Sequence, residues 1–227
     1  MDTFEKYQPV SLSQIAFAQP AFGQDLMDYA TGKASNNILL HGAFGTGKTT
    51  IALAIANERC NGGNVELING KSEEAKNRLG ITECHALITL GLLQGHKPVF
   101  IIDEVDRVGK PKQDNIVCFL DELKNREVGG MVIFTTNYLD KVDDALKSRC
   151  STYHIKGLTP EQALPTAKRI LLAEGVSKSD EWLLQELERV VPHNSEASDW
   201  RKYGQVLDRI MRNSTKEKPP PKLTLVQ

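Results

Sequence analysis

An α/β fold, in which a doubly wound parallel sheet is followed by a small helical domain, is what the sequence predicts, and three observations carry it. Short apolar runs alternate with helix-forming stretches up to about residue 157. A glycine-rich segment, Gly42 to Thr49, sits at the corner between one such run and the helix after it. From about Leu158 the strand pattern stops and only helical periodicity remains. The predicted division is a core over 1–157, a helical domain over 158–213 and an extended, proline-rich tail over 214–227.

Taken in order, residues 1–21 form an irregular leader with Pro9 and Pro20 and apolar anchors at Tyr7, Val10, Ile15 and Phe17, expected to lie over another part of the molecule. A helix is predicted from about Phe22 to Thr31, a short buried strand at Ile38–Leu40, and a helix through Thr50–Ala56. Residues Asn64–Ile68 read as a second strand, and Asn69–Glu74 as a turn that opens a helix with Ser72 as its cap. Ile81–Leu93 is a further helical stretch. Pro98–Glu104, apolar until its two terminal acids, reads as a strand buried on both faces. Asp114–Arg126 is amphipathic and helical, Gly130–Asn137 is another buried strand ending in polar groups, and Ser151–Ile155 is a short last strand. Helices over Pro160–Glu174, Ser179–Val191 and Ser198–Met211 follow, punctuated by Gly175 and Pro192.

Composition narrows the class. With 227 residues, 40% hydrophobic and 25% charged, the chain suits one α/β core and a small second domain. A net charge of −1 gives no global pull toward nucleic acid or anionic lipid, so such contacts would need a local cluster or several subunits together. Cys60, Cys84, Cys118 and Cys150 form no Cys-x-x-Cys pair, which argues against a zinc ribbon and a disulfide framework; reduced, mostly packed thiols are expected. No signal peptide and no run of about 18 apolar residues is seen, so a soluble protein of the cytoplasm, away from membranes, is expected.

Gly42-Ala43-Phe44-Gly45-Thr46-Gly47-Lys48-Thr49 fits Gly-x-x-x-x-Gly-Lys-Ser/Thr at every fixed position and lies between a strand and a helix, as that P-loop template requires. Glycines allow the backbone to form a nest of N–H donors, which with the positive helix end hold a phosphate. Lys48 would reach the β- and γ-phosphates, the Thr49 hydroxyl would ligate Mg2+, and Thr50 continues the cradle. Asp103 and Glu104, emerging beside this loop, divide labour between holding the magnesium and polarising an attacking water. Asn137, ending the next strand, is either the start of a turn or an amide that orients that water. Arg149, after a short helix, is either a surface arginine or a group that reaches a neighbouring subunit's γ-phosphate.

Glu5-Lys6-Tyr7-Gln8-Pro9, the P-loop, Leu67-Ile68-Asn69-Gly70-Lys71-Ser72, Asp103-Glu104-Val105-Asp106-Arg107, Thr135-Thr136-Asn137 and Ser148-Arg149-Cys150 stand in the order seen in AAA+ ATPases. Over about residues 4–212 the chain resembles the sliding-clamp-loader clade of that family, with the small subunits of replication factor C and the clamp-loader ATPase of T4-like phages nearest in look. The Ser-Arg-Cys triplet is the most specific part of the likeness. The resemblance implies an ATP-hydrolysing enzyme with Mg2+, Asp103 and Glu104 as Walker B, Asn137 as sensor 1, and Arg149 as an arginine finger acting in trans. It further implies Arg201, within Asp199-Trp200-Arg201-Lys202, as the sensor 2 residue of a helical lid, and Tyr7 and Val10 as part of the segment that covers adenine. Ala43-Phe44 stands where relatives usually have two prolines. The chain ends at Gln227, where clamp-loader subunits continue into a collar, so assembly by another route is expected.

A chain carrying both Lys48 and Arg149 can supply a finger to its own copy, so a ring or spiral of identical subunits with ATP at each joint is self-consistent. On DNA, Lys71, Lys76, Arg78 and Lys110 would add small contributions along the phosphates, although their plain reading is solvated charge. The expected role is to load or remodel a clamp-like or other replication or recombination protein. Rival readings are a target-selecting transposition ATPase, a protein remodeller, and a binding module gated by ATP in which hydrolysis is incidental. The tail segment Leu223–Val226 is a candidate contact for another protein.

Overall fold

The computed structural model describes residues 6–60, 65–72, 79, 99–125, 130–191 and 198–216. Within them the apolar runs become one sheet of five parallel strands: β1 (Asn37–His41), β2 (Val65–Asn69), β3 (Val99–Asp103), β4 (Met131–Thr136) and β5 (Cys150–His154), in the order β2-β3-β4-β1-β5. The helices are α1 (Pro20–Ala30), α2 (Lys48–Cys60), α3 (Lys110–Asn125), α4 (Asp144–Lys147), α5 (Pro160–Ala173), α6 (Asp180–Glu188) and α7 (Trp200–Lys216).

Alternate residues of the central strands feed two cores. Leu39, Phe100, Ile102, Val132 and Phe134 meet Ile116, Phe119, Leu120 and Leu123 of α3 on one face. Ile38, Leu40, Ile101 and Ile133 meet Leu26 and Tyr29 of α1 and Ile51 and Ile55 of α2 on the other. Burial on both faces is why these runs read as continuous rather than alternating. The edge strands β2 and β5 are only partly covered.

Three of the boundaries that differ from expectation have a clear local cause. Helix α1 starts at Pro20, whose fixed φ and missing N–H suit a first helical position. Helix α3 starts at Lys110, not Asp114: Pro111 is tolerated in a first turn, and the Gly109 carbonyl accepts from the N–H groups of Lys112 and Gln113. That stretch lacks an apolar stripe because Gln113 is buried for its polar contacts, with Nε2 donating to Val108 O and Lys141 O and Oε1 accepting from Asp143 N. Helix α7 runs to Lys216, past the predicted start of the tail, with the Ser214 hydroxyl turned back onto Ile210 O. The helices expected after Ser72 and over Ile81–Leu93, and the tail beyond Lys216, lie outside the described residues. Ser72 itself donates its hydroxyl to Asn69 O at 2.8 Å.

Helices α5, α6 and α7 enclose a third core of Ala163, Ala167, Ile170, Leu183, Leu187, Tyr203 and Leu207. A capping box between Thr159 and Gln162 opens α5, and Ser179 caps α6. Glu186 is buried between Arg189 and Arg209, which ties α6 to α7. The leader crosses from the sheet's helices to this cluster. Leu12 N donates to Glu58 on α2, Gln162 on α5 donates to Ala18 O, and Lys6 and the Tyr7 hydroxyl both reach Glu174 at the end of α5.

Arg59, near the end of α2, donates from Nη1 to Tyr29 O and Ala34 O, both at 2.7 Å, and so closes the end of α1 and the loop into β1. Arg59→Ala leaves two sheltered carbonyls without that donor. A loss of about 2 kcal/mol is expected, read as a lower urea midpoint at unchanged slope.

Candidate nucleotide site

The segment from Gly42 to Gly47 leaves β1 and enters α2 by a path that depends on its glycines. Gly45 has φ +69°, a left-handed conformation. Gly42 passes so near Ile155 that a Cβ would stand 2.2 Å from its carbonyl oxygen. The Thr46 hydroxyl closes the loop onto Ala43 O at 3.1 Å. Lys48, only 6% exposed, turns its ammonium onto the loop's own carbonyls, Gly42 O at 3.0 Å and Ala43 O at 2.6 Å. Burial pushes its pKa down to about 8, against the pull of Asp103, Glu104 and Asp106 and with a small further push from Arg201. Phe44 is exposed and meets the Tyr138 ring edge-on at 5.9 Å. Beneath the loop His41 and His154 stack at 4.8 Å, and burial, His154 and Lys48 together hold the His41 pKa low.

Asp103 ends β3 within reach of the loop. Its Oδ1 accepts from the Thr49 hydroxyl at 2.7 Å and from the Thr135 hydroxyl at 2.6 Å. A hydroxyl and a carboxylate side by side make a set of hard oxygens that fits Mg2+. Glu104 is the single non-glycine residue with positive φ among the described residues, at φ 54° and ψ 52°. Its carboxylate pairs with Lys71 Nζ at 2.6–2.7 Å. Asn137 follows β4, beside Asp103 because β3 and β4 are neighbours, and its N–H donates to Asp106 Oδ1 at 3.3 Å.

A cavity of about 510 Å³ opens between the leader, the P-loop and α7. Tyr7, Ile15 and Phe17 line one side, Gly45, Thr46, Gly47 and Thr50 the floor, and Trp200, Arg201 and Tyr203 the other side. Val10, expected here, is 62% exposed and absent from the lining. The 3-10 turn at Leu12–Gln14, to which Val10 is tied by its N–H on Gln14, brings Ile15 and Phe17 inward instead. The start of α7 docks on the loop, with Trp200 N donating to Gly45 O at 2.9 Å and Asp199 packed so closely that a Cβ on Gly45 would meet its Oδ1 at 1.8 Å. Asp199 Oδ1 also accepts from Arg201 N. Arg201 itself is exposed on the cavity wall.

Arg149 lies elsewhere. Cys150 pairs with Asn37 at the start of β1, whereas the P-loop leaves the end of β1 after His41. Four strand steps of about 3.3 Å put about 13 Å between those levels. Arg149 is exposed, bidentate to Asp121 at 2.8 and 3.0 Å, with Nη1 on Ala145 O. The structure therefore gathers Lys48, Thr49, Asp103, Glu104 and Asn137 at one end of the sheet and holds Arg149 at the other. Sequence reasoning missed the Lys71 partner of Glu104, the docking of Asp199 and the clasp of Thr135. Only Thr135 carried a signal, as a hydroxyl within an apolar strand.

A parallel sheet of this order, a P-loop at the exit of β1 and two acids at the exit of β3 define a P-loop nucleotide-binding protein with an attached helical cluster. The chain belongs to the AAA family: the profile of the ATPase family associated with various cellular activities (AAA) matches residues 38–158. It is similar to a protein described as a replication factor C small subunit in Acanthamoeba polyphaga mimivirus, 27% identical over 184 residues, covering 76% of this chain and 49% of that one. The sliding-clamp-loader large subunit of Escherichia phage RB69 is 27% identical over 170 residues, covering 74% and 50%. The chain thus spans about half the length of these curated relatives, and it is related to subunits of clamp loaders. Among solved structures, the Thermotoga maritima RuvB Holliday junction branch migration motor shares the fold, with TM-score 0.66 at 19% identity over 92% of this chain and 65% of that one.

Proposed function

We propose that the chain binds ATP in the cavity beside the P-loop and hydrolyses it at a site completed by Arg149 of a neighbouring subunit. The observation that carries this reading is the placement of Arg149, exposed and paired with Asp121, about 13 Å along the sheet from the chain's own P-loop level. A head-to-tail contact between copies brings one chain's finger to the next chain's phosphates, and repeated contacts of that kind build a ring or a spiral. In this reading 1–157 is the ATPase core and 158–213 the lid.

The roles follow from the geometry. Backbone N–H groups from Gly42 through Thr50 and the start of α2 hold the phosphates. Lys48 exchanges the Gly42 and Ala43 carbonyls for phosphate oxygens. Thr49 and Asp103 would hold Mg2+, which when bound neutralises charge on the β- and γ-phosphates. Glu104 takes the proton of the attacking water, Asn137 orients that water, and Arg201 approaches the γ-phosphate from the lid. Glu104 acts as a base once Lys71 has released its carboxylate. Tyr7 stands on the side where the base would lie.

The names of the curated relatives support a further step: assembly on DNA, and loading or remodelling of a clamp-like or other replication or recombination protein inside the cell. Among the described residues no helix is long and apolar enough to cross a membrane. The test is steady-state ATP hydrolysis against protein concentration, with and without primed duplex DNA, in wild type and Arg149→Ala. A rate per subunit that rises with concentration and DNA and disappears in Arg149→Ala is expected. A rate indifferent to all three removes the trans finger.

ATP binding should depend on pH through Lys48. Its pKa is depressed to about 8 in the nucleotide-free protein, and phosphate raises it again, so the complex holds more protons above pH 8 than the free chain does. Affinity is therefore flat below about pH 7.5 and falls above pH 8, by up to about tenfold per unit. Titrations with a fluorescent ATP analogue from pH 7 to 10 read this slope, which Lys48→Met should abolish along with most of the affinity.

A further inference from the structure

We propose that Thr136 and Asp106, together with Thr135, are positioning residues that set the acidic turn and Asn137 in one fixed relation for hydrolysis. The inference rests on the ATPase reading above and deepens it. It starts from an oddity of β4, whose last two residues are hydroxyl-bearing yet 1% and 0% exposed. Buried hydroxyls must find partners, and these two find them on the same turn. The Thr135 hydroxyl donates to Asp103 Oδ1 at 2.6 Å and accepts from Glu104 N at 3.0 Å. The Thr136 hydroxyl donates to Asp106 Oδ1 at 2.7 Å and accepts from Tyr138 N at 2.9 Å.

Neighbouring residues of a strand point to opposite faces, so the two threonines grip the turn from two sides, one at its start and one at its end. Asp106 is the joint between the two grips. Its side chain is fully enclosed, with Oδ2 facing Arg107 Nε at 3.5 Å and Oδ1 accepting from Asn137 N as well as from Thr136. Through these bonds Glu104 is held in its left-handed conformation by its own N–H, and the backbone of Asn137 is fastened to the same turn. The group that polarises the water and the group that orients it are thereby linked through hydrogen bonds rather than through solvent. Displacements of about 1 Å in such a pair reduce turnover strongly without touching the nucleotide's binding contacts.

The test compares Thr136→Val and Asp106→Ala, which remove the bonds, with Thr136→Ser and Asp106→Asn, which keep the hydroxyl and the accepting oxygen. ATP affinity and the maximal rate of hydrolysis at saturating ATP, protein and DNA are measured for each. Thr136→Val and Asp106→Ala are expected to lose about tenfold or more in kcat with affinity for Mg-ATP within about threefold of wild type, while the two conservative variants keep both. Wild-type turnover in Thr136→Val and Asp106→Ala overturns the inference and leaves the ATPase reading intact. So does a serine variant as slow as the valine one, or a parallel loss of affinity, rate and melting temperature in all four. A wild-type protein that hydrolyses no ATP at any concentration of protein and DNA overturns the ATPase reading and this inference together.

Discussion

Glu104→Gln is expected to cut ATP hydrolysis by roughly 10²–10⁴-fold while ATP still binds, because an amide keeps the shape of the side chain and loses the basic oxygen. The Lys71 pair is weakened by the same change, so affinity should not fall. The decisive form of the experiment is a mixture. Glu104→Gln lacks the base and keeps Arg149; Arg149→Ala lacks the finger and keeps Glu104. Each is expected to be silent alone. In an equimolar mixture a joint works when an Arg149→Ala chain receives its finger from a Glu104→Gln chain, which random head-to-tail association gives at about one joint in four. Recovery near a quarter of the wild-type rate places the two groups on different chains. No recovery at any mixing ratio places them on one chain, against the separation along β1.

Gly157→Ala is expected to destabilise the fold strongly. The residue follows β5 without a positive φ, yet a Cβ there would stand 2.4 Å from Ser198 Oγ, 2.5 Å from its carbonyl oxygen and 2.6 Å from its nitrogen. Backbone cannot swing aside as a side chain can. Ser198 is itself 2% exposed, with its hydroxyl on Leu158 O, and the Tyr203 hydroxyl shares that carbonyl at 2.8 Å. Making room means moving the start of α7, and with it the Trp200 contact on Gly45 and one wall of the cavity. About 3 kcal/mol and roughly 10 °C in melting temperature are expected, together with weaker ATP binding. Gly109→Ala is the control: a Cβ there meets nothing nearer than Pro111 Cδ at 4.0 Å, and near-neutral behaviour is expected.

The parts of the site that could be read from the sequence are those whose chemistry is local. The P-loop is eight consecutive residues, and the buried strands announce themselves by apolar runs that the sheet covers on both faces. The position of Asn137 close to the acidic turn comes from the pairing of β3 and β4, which is a matter of strand order and not of spacing. The distance of Arg149 from its own P-loop is likewise topological, since it needs the register Asn37 to Cys150. Val10 could not be told from Ile15 and Phe17 because an irregular leader carries no period. The left-handed Glu104 and the Lys71 that meets it depend on contacts 31 and 33 residues apart in the chain.

In the proposed head-to-tail assembly, the separation of Arg149 from its own P-loop also imposes an arithmetic of ends. A row of chains joined head to tail has one terminal chain whose nucleotide no finger reaches and one whose finger has nothing to touch. An open row of n subunits thus has n − 1 working joints, and a dimer runs at half the efficiency per chain of a closed ring. Length becomes a control on rate without any change in an individual site. A partner that lent a finger but offered no P-loop, or the reverse, would cap the row at one end only, so growth, turnover and direction along a track would all be set by which end is left bare.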